Sequence, residues 1–263
     1  MQFLRVFTGK VPRALTATTA LALLFITSQA SSQTLFAGEP VAIGDGQARV
    51  IVVEGRQGVP ASISVVLSRA ALEGLPEARA DREAFEYVLP MPGAGPRTGY
   101  RHVSLDWNPI GHIPEGIYSV PHFDMHFYLI SSVEQQGITF LGPDRDRAIA
   151  PPDPSRVPPG YVVPPDTAVE RMGLHGLDPG GHEFHGQPFT HNFLYGYHER
   201  RLIFVEPMIS LAYLTTRPDV TVPVKIPAAY SLPGYYPDRY RVGFNPATEE
   251  YQVALLGLRP YGM

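Results

Sequence analysis

Apolar side chains arrive along this chain in short runs, and glycine or proline breaks almost every run. Such runs between frequent turn residues predict many β-strands and few helices. Ala48–Val53 and Ala61–Leu67 are β-branched stretches either side of the turn-like Glu54–Pro60, a first hairpin. Phe85–Leu89 and Tyr100–Trp107 predict two more strands, joined through the turn-rich Pro90–Gly99, and Pro121–Ser131 predicts another. Phe189–His198 and Arg201–Ser210 predict a hairpin turning at Glu199-Arg200, so that His198 faces Arg201 and Phe193 faces Glu206. In that register His191, Phe193, Tyr195 and Tyr197 share a face with Leu202, Phe204, Glu206 and Met208, and His191 lies diagonal to Glu206. Tyr240–Phe244 and Tyr251–Leu258 predict a last hairpin, with Asn245-Pro246 opening its turn. A helix is predicted at Ser68–Leu75, where a capping serine leads helix formers up to Gly74 and Pro76. The expected fold is mainly β: an antiparallel β-sandwich or β-barrel, jelly-roll-like forms included, with one or two short helices.

Two segments break the strand pattern. Met1–Arg13 carries Arg5, Lys10 and Arg13 without an acid, Ala14–Ile26 is apolar or small, and Ser28 and Ala30 suit a signal peptidase. Residues 1–30 therefore predict a secretory signal peptide, and the protein is expected to be exported, periplasmic or extracellular. The apolar run is shorter than the roughly 20 residues that span a bilayer, so no stable membrane insertion is expected after cleavage. Residues 31–263 are expected to form a single β domain. Within it, a Pro-rich excursion at about 143–166 holds eight prolines and reads as a semi-rigid surface connection, with a lid or arm as the alternative.

Composition narrows the chemistry. There is no cysteine, which excludes disulfide scaffolds, thiol enzymes and Cys-ligated zinc. The net charge is −4, and loss of residues 1–30 would take three of the 21 bases and none of the 25 acids. An acidic chain is a poor partner for phosphate backbones, so nucleic acid is not expected. No Walker loop, dinucleotide glycine fingerprint, Gly-x-Ser-x-Gly elbow or His-Glu-x-x-His occurs, and no nucleotide cofactor is expected.

All nine histidines fall between His102 and His198. His122, Asp124 and His126 alternate with Phe123, Met125 and Phe127, which places two imidazoles and a carboxylate on one face of a strand. Residues i and i+4 of a flat strand stand about 13 Å apart at Cα, so His122 and His126 cannot share one ion, whereas either can share one with Asp124. Further ligands would come from other strands. Together His122, Asp124, His126, His191 and Glu206 are the candidate metal ligands, and His112, His175, Tyr195 and Tyr128 candidate pocket residues or orienting partners. Imidazole with carboxylate suits zinc, iron, manganese or copper. A metal-free polar pocket and plain polar packing are the competing readings. His182, His185 and His198 read as solvated loop residues, and His102 as an ordinary strand histidine.

The segments Trp107-Asn-Pro-Ile-Gly-His112-Ile-Pro, Pro121-His-Phe-Asp-Met-His-Phe-Tyr128, Met172-Gly-Leu-His175, Pro188-Phe-Thr-His191 and Phe204-Val-Glu-Pro-Met208 resemble an uncharacterised family of bacterial secreted proteins. That family is typified by a small sigma-E-regulated protein of Thermus, and the resemblance extends over roughly residues 60–215. It implies a mainly β fold and an envelope setting, and brings no established activity. Where the family pattern has an aromatic after the histidine of the Met-Gly segment, this chain has Gly176.

Two functions compete. One is a binding protein of the envelope, taking a small molecule or a transition metal in a His/Asp/Glu-lined pocket. Its Tyr-rich C-terminal third could also supply a homo-oligomer contact. The other is a metal-dependent envelope enzyme, a hydrolase or oxygenase, using the same cluster.

Overall fold

The computed structural model describes residues 33–263; the expected signal peptide lies outside the described residues. The chain first builds β1 (Thr34–Ala37), β2 (Val41–Ile43), β3 (Gly46–Glu54) and β4 (Pro60–Ser68). It then crosses to a second sheet for six consecutive strands: β5 (Phe85–Pro90), β6 (His102–Asn108), β7 (His122–Tyr128), β8 (Leu174–Gly176), β9 (His191–His198) and β10 (Arg201–Ser210). It returns through β11 (Asp219–Pro223), β12 (Gly234–Tyr236), β13 (Arg239–Asn245), β14 (Glu250–Leu256) and β15 (Arg259–Tyr261). The first sheet runs β1-β3-β4-β14-β13-β11 with β2 on β3, the second runs β5-β6-β7-β10-β9-β8, and β12 pairs with β15. Every pairing is antiparallel. Neither sheet closes on itself, so of the two expected architectures the protein adopts the sandwich.

Strand periodicity explains the core. Val50, Val52, Ile63, Val65, Val242, Val253 and Leu255 of the first sheet meet Val103, Leu105, Phe123, Met125, Phe127, Val205 and Ile209 of the second. Each such side chain contributes about 1.5–3 kcal/mol when fully buried. The expected helix after Ser68 is only a 3-10 turn at Arg69–Leu72. Ser68 Oγ accepts from the Gln47 amide instead of capping it. Three short helices form elsewhere: α1 (Ser132–Gln136), α2 (Arg145–Ala148) and α3 (Leu211–Leu214). The first opens on a capping box between Ser131 and Glu134.

β7 carries its alternation as expected, but both of its faces are buried. Phe123, Met125 and Phe127 enter the sandwich core, while His122, Asp124 and His126 point to the outer side of the sheet. Connections close over that outer side. Tyr118, Leu177 and Phe189 pack on Leu194 and Met208 at one end, and Ile138 joins Tyr128, Ile203 and Phe204 at the other. The Pro-rich excursion docks against the β9 side of the sheet. Tyr161 donates its hydroxyl to the Phe193 carbonyl at 2.6 Å, and Tyr197 donates to the Arg156 carbonyl at 3.0 Å.

One irregularity decides which residues reach the outer face. Turn residues Glu199 and Arg200 both have positive φ, and His198 pairs with Arg201 as expected. Between Leu202 and Phe204 the register then slips by one residue, a β-bulge. Beyond it Glu206 faces Leu194, and Phe193 faces Pro207 rather than Glu206. The expected common face of His191 and Glu206 is thereby overturned: Glu206 turns outward, and His191, opposite Ile209, turns toward the core side. Gly196 stands opposite Phe204, where a Cβ would come within 2.0 Å of the phenylalanine ring. A bare backbone is what lets that ring lie across β9.

Candidate metal centres

The strand register stacks polar residues in rows across the outer face. Ser104 sits beside His126, Asp106 beside Asp124, and Asn108 beside His122. Met208 and Ser210 of β10 continue the last two rows. In this setting the acids and imidazoles sort into two triads, His112–His122–Asp124 and His126–His175–Glu206, each with ligand-type atoms within 4.8 Å of one another.

In the first triad His112 Nε2 lies 3.1 Å from Asp124 Oδ2, and His122 Nε2 lies 3.1 Å from Asp124 Oδ1. His112 Nδ1 is 2.6 Å from the Ile113 carbonyl, and His122 Nδ1 is 2.7 Å from the Val120 carbonyl. A carbonyl only accepts, so both Nδ1 atoms carry a proton, and in the neutral imidazole Nε2 presents a lone pair. Asn108 Nδ2 donates to Asp124 Oδ2 at 2.7 Å and fixes the carboxylate. In the second triad His126 Nε2 lies 3.4 Å from Glu206 Oε1, and His175 Nε2 lies 3.7 Å from Glu206 Oε2. His175 Nδ1 is 2.9 Å from the Thr167 carbonyl, and His126 Nδ1 is 2.9 Å from Asp106 Oδ2.

Nδ1 of His112, His122 and His175 thus meets a backbone carbonyl, His126 stands between the Asp106 and Glu206 carboxylates, and all four Nε2 atoms turn to a carboxylate. A lone pair facing a carboxylate oxygen is held there only by a cation between them, a proton or a metal ion. His122 Nε2, Asp124 Oδ1, His126 Nδ1 and Nε2, and Glu206 Oε2 are buried, yet their close approaches lack hydrogen-bond alignment. Two ligands about 2.0–2.1 Å from a tetrahedral ion stand about 3.3 Å apart. The histidine-to-carboxylate separations of 3.1 to 3.7 Å bracket that value, each carboxylate meeting one imidazole with each of its two oxygens, and one ligand atom from every member of a triad lies within 4.8 Å of the others. The donor set therefore fits a divalent ion, and Nδ1 partners of this kind are what orients imidazole ligands.

The electrostatics agree. Burial works against charge on His112, but Asp124 outweighs it and pushes the imidazole up to about 9. His126 is likewise raised to about 10, because Glu206 and Asp106 overcome its burial. Burial raises Glu206 to about 8 against the pull of His126. Burial, with the neighbouring His126, lowers His175 to about 4. Asp124 would be raised by burial, yet His122 and His112 hold it well below the usual carboxylate range. Protons on His112 and His126 supply positive charge where an ion would supply it.

The structure brings together six of the nine residues singled out in the sequence: His112, His122, Asp124, His126, His175 and Glu206. Tyr128 adjoins them, its ring 5.8 Å from that of His126. It does not bring His191 or Tyr195 there. His191 lies on the other side of the sheet, with Nδ1 2.6 Å from the Tyr240 hydroxyl, and Tyr195 donates its hydroxyl to the Lys225 carbonyl. His191 instead lines a separate cavity of about 190 Å³ with Tyr161, Glu183, Asn192 and Tyr240. His102 is a buried strand histidine, paired with Gln135 and stacked on Tyr128. The orienting roles of Asp106, Asn108 and Thr167 were not anticipated. For the first two a signal existed, since Ser104, Asp106 and Asn108 alternate with Val103, Leu105 and Trp107.

No helix of the described residues is long and apolar enough to cross a membrane. No curated protein and no solved structure matches the chain. A family model matches residues 55–107, which end one residue beyond Asp106 and precede all four imidazoles of the triads. Over that stretch the chain is similar to the family described as TTHB210-like, hypothetical protein TTHB210, in keeping with the Thermus-typified resemblance of its motifs.

Proposed function

We propose that this is an exported metal protein that holds two divalent transition-metal ions, one in each triad, with zinc or iron(II) as the best match to a two-histidine, one-carboxylate set. The observation that carries the reading is four imidazoles with Nε2 directed at a buried carboxylate, three of them with Nδ1 hydrogen-bonded to a backbone carbonyl. Export is supported by the basic, then apolar, then small-residue pattern of residues 1–30. The test is metal analysis of protein purified without an affinity tag and then incubated with zinc or iron(II). Two equivalents are expected, falling to one in Asp124→Ala and to one in Glu206→Ala. Failure to retain any ion would sink the proposal.

A catalytic role at the first triad is the second reading. It is favoured by the accessibility of that triad, since the His112 side chain is 36% exposed. Three protein ligands leave a coordination position for water or substrate, and a zinc-bound water there would be acidified toward neutral pH.

A further inference from the structure

β8 pairs with β9 only at Tyr195–Tyr197, so among the described residues β9 from His191 to Leu194 has no strand on that side. The Pro-rich excursion at Tyr161, the segment around Glu183 and the end of β11 wall the gap, and this is the cavity of about 190 Å³ that His191 lines. Tyr161, Phe193, Leu194, Val222, Val224 and Tyr240 give it aromatic and aliphatic walls.

The polar groups of the lining are unevenly satisfied. Asp178 and Lys225 neutralise each other, with Nζ 2.9 and 2.7 Å from the two carboxylate oxygens. Tyr161 donates to the Phe193 carbonyl, and the Tyr240 hydroxyl meets His191 Nδ1. Burial lowers His191 to about 4, so it is uncharged near neutral pH. Glu183 differs from these. Its side chain is 2% exposed, and Oε1 accepts from the Tyr118 hydroxyl at 3.3 Å and from Asn192 Nδ2 at 3.1 Å. Oε2 has no hydrogen-bond partner, since His182 Nδ1, 3.5 Å away, is not aligned with it. Asn192 Oδ1 is buried without a partner as well, while Nδ2 serves Tyr118 and Glu183. Gly181 leaves the room for this carboxylate: a Cβ there would come within 2.6 Å of Oε2. The two unused atoms are both acceptors, and the charge left unbalanced in the lining is negative. Unused acceptors beside aromatic rings suit a cation that donates hydrogen bonds.

We propose that this cavity binds a small primary ammonium ion with a compact apolar body, its head on Glu183 and Asn192 and its body against Tyr161, Phe193 and Val222. A cavity of about 150 Å³ takes up benzene, so about 190 Å³ suits an arylamine side arm or a short alkylamine. The cavity shares no lining residue with either triad, and the proposal does not rest on the metal reading.

The experiment is a calorimetric titration of the full chain with benzylamine, compared with benzyl alcohol and benzoate, which keep the ring and change the head. Working at about pH 8 keeps imidazole charge out of the comparison. A charge-assisted hydrogen bond is about twice as strong as a neutral one, so benzylamine should bind at least about tenfold tighter than the alcohol, and benzoate should not bind detectably. Glu183→Gln keeps the shape of the side chain and should cost the amine at least about tenfold while leaving the alcohol within about twofold. Val222→Phe, on the edge strand β11, fills the cavity and should abolish binding of both. Equal affinity for amine and alcohol in the unsubstituted protein overturns the proposal without recourse to any variant. Amine binding that survives either substitution in folded protein also overturns it. The titration is repeated with a chelator present: amine binding should persist, and its loss would move the amine to a metal ion and overturn the proposal while leaving the metal reading in place.

Discussion

The two triads use the same ligand types in opposite structural settings. His112, His122 and Asp124 lie within thirteen consecutive positions, and one of them sits on a partly exposed loop. His126, His175 and Glu206 come from three strands, β7, β8 and β10, and are sealed beneath the connections of the outer face. The first is built locally and stays reachable. The second exists only when the whole sheet is in register, and no route for a substrate is evident in its burial. Accessibility suits exchange and reaction, whereas burial suits a permanent ion that ties strands together.

The largest effect expected from this contrast is on Glu206. Glu206→Ala leaves His126 Nε2 buried without a partner while Asp106 still faces its Nδ1, a loss of about 1–3 kcal/mol in denaturant unfolding of the metal-free protein. It also removes one ion and leaves the other. Equal destabilisation by His112→Ala would erase the distinction between the triads. His112→Ala should instead weaken the exchangeable ion at least 10-fold in competition titrations and shift unfolding by under about 1 kcal/mol, since its site is partly solvated. Asp106→Asn acts through the Nδ1 of His126. It should weaken only the sealed ion, by about 10–100-fold; an equal loss at both sites would mean that the triads are one coupled centre.

The smallest effect is on pH dependence. His112, at about 9, and His126, at about 10, lie above the ordinary 6.5, so their stabilisation is complete below 6.5 and is lost as pH rises through those values. Glu206, at about 8, acts in the same direction. His175 and His191, at about 4, lie below 6.5, so their contribution is present above it and fades as pH falls toward 4. Melting temperature of the metal-free protein should peak near pH 6.5. Zinc should abolish the alkaline fall, because the ion takes over from the protons. An alkaline fall unchanged by zinc would show that the triads do not bind it.

Most strands were legible because a period of two is a direct consequence of backbone geometry. The β7 alternation also separated His122 from His126 correctly, on distance alone. Glu206 was misplaced relative to His191 because hairpin register was extended from the turn without the bulge after Leu202, a deviation no local residue pattern announced. Helix α1 was legible and missed: Ser131-Ser-Val-Glu134 is a capping box in plain view. Burial of the polar face was not legible. It depends on loops far apart in sequence folding over β7, and period-two alternation reads the same under water or under a loop.

The bulge in β10 is a parity device. A strand assigns its odd and even positions to opposite sides, and one extra residue exchanges the two sets for everything downstream. Ile203 and Phe204 both face outward at the exchange, and beyond it Glu206, Met208 and Ser210 go to the polar side while Val205 and Ile209 go to the core. Shortening β10 by one residue there would present a carboxylate to the aliphatic interior and an isoleucine to the imidazoles. The sealed triad thus depends on a single insertion in the count of residues, as much as on its three side chains.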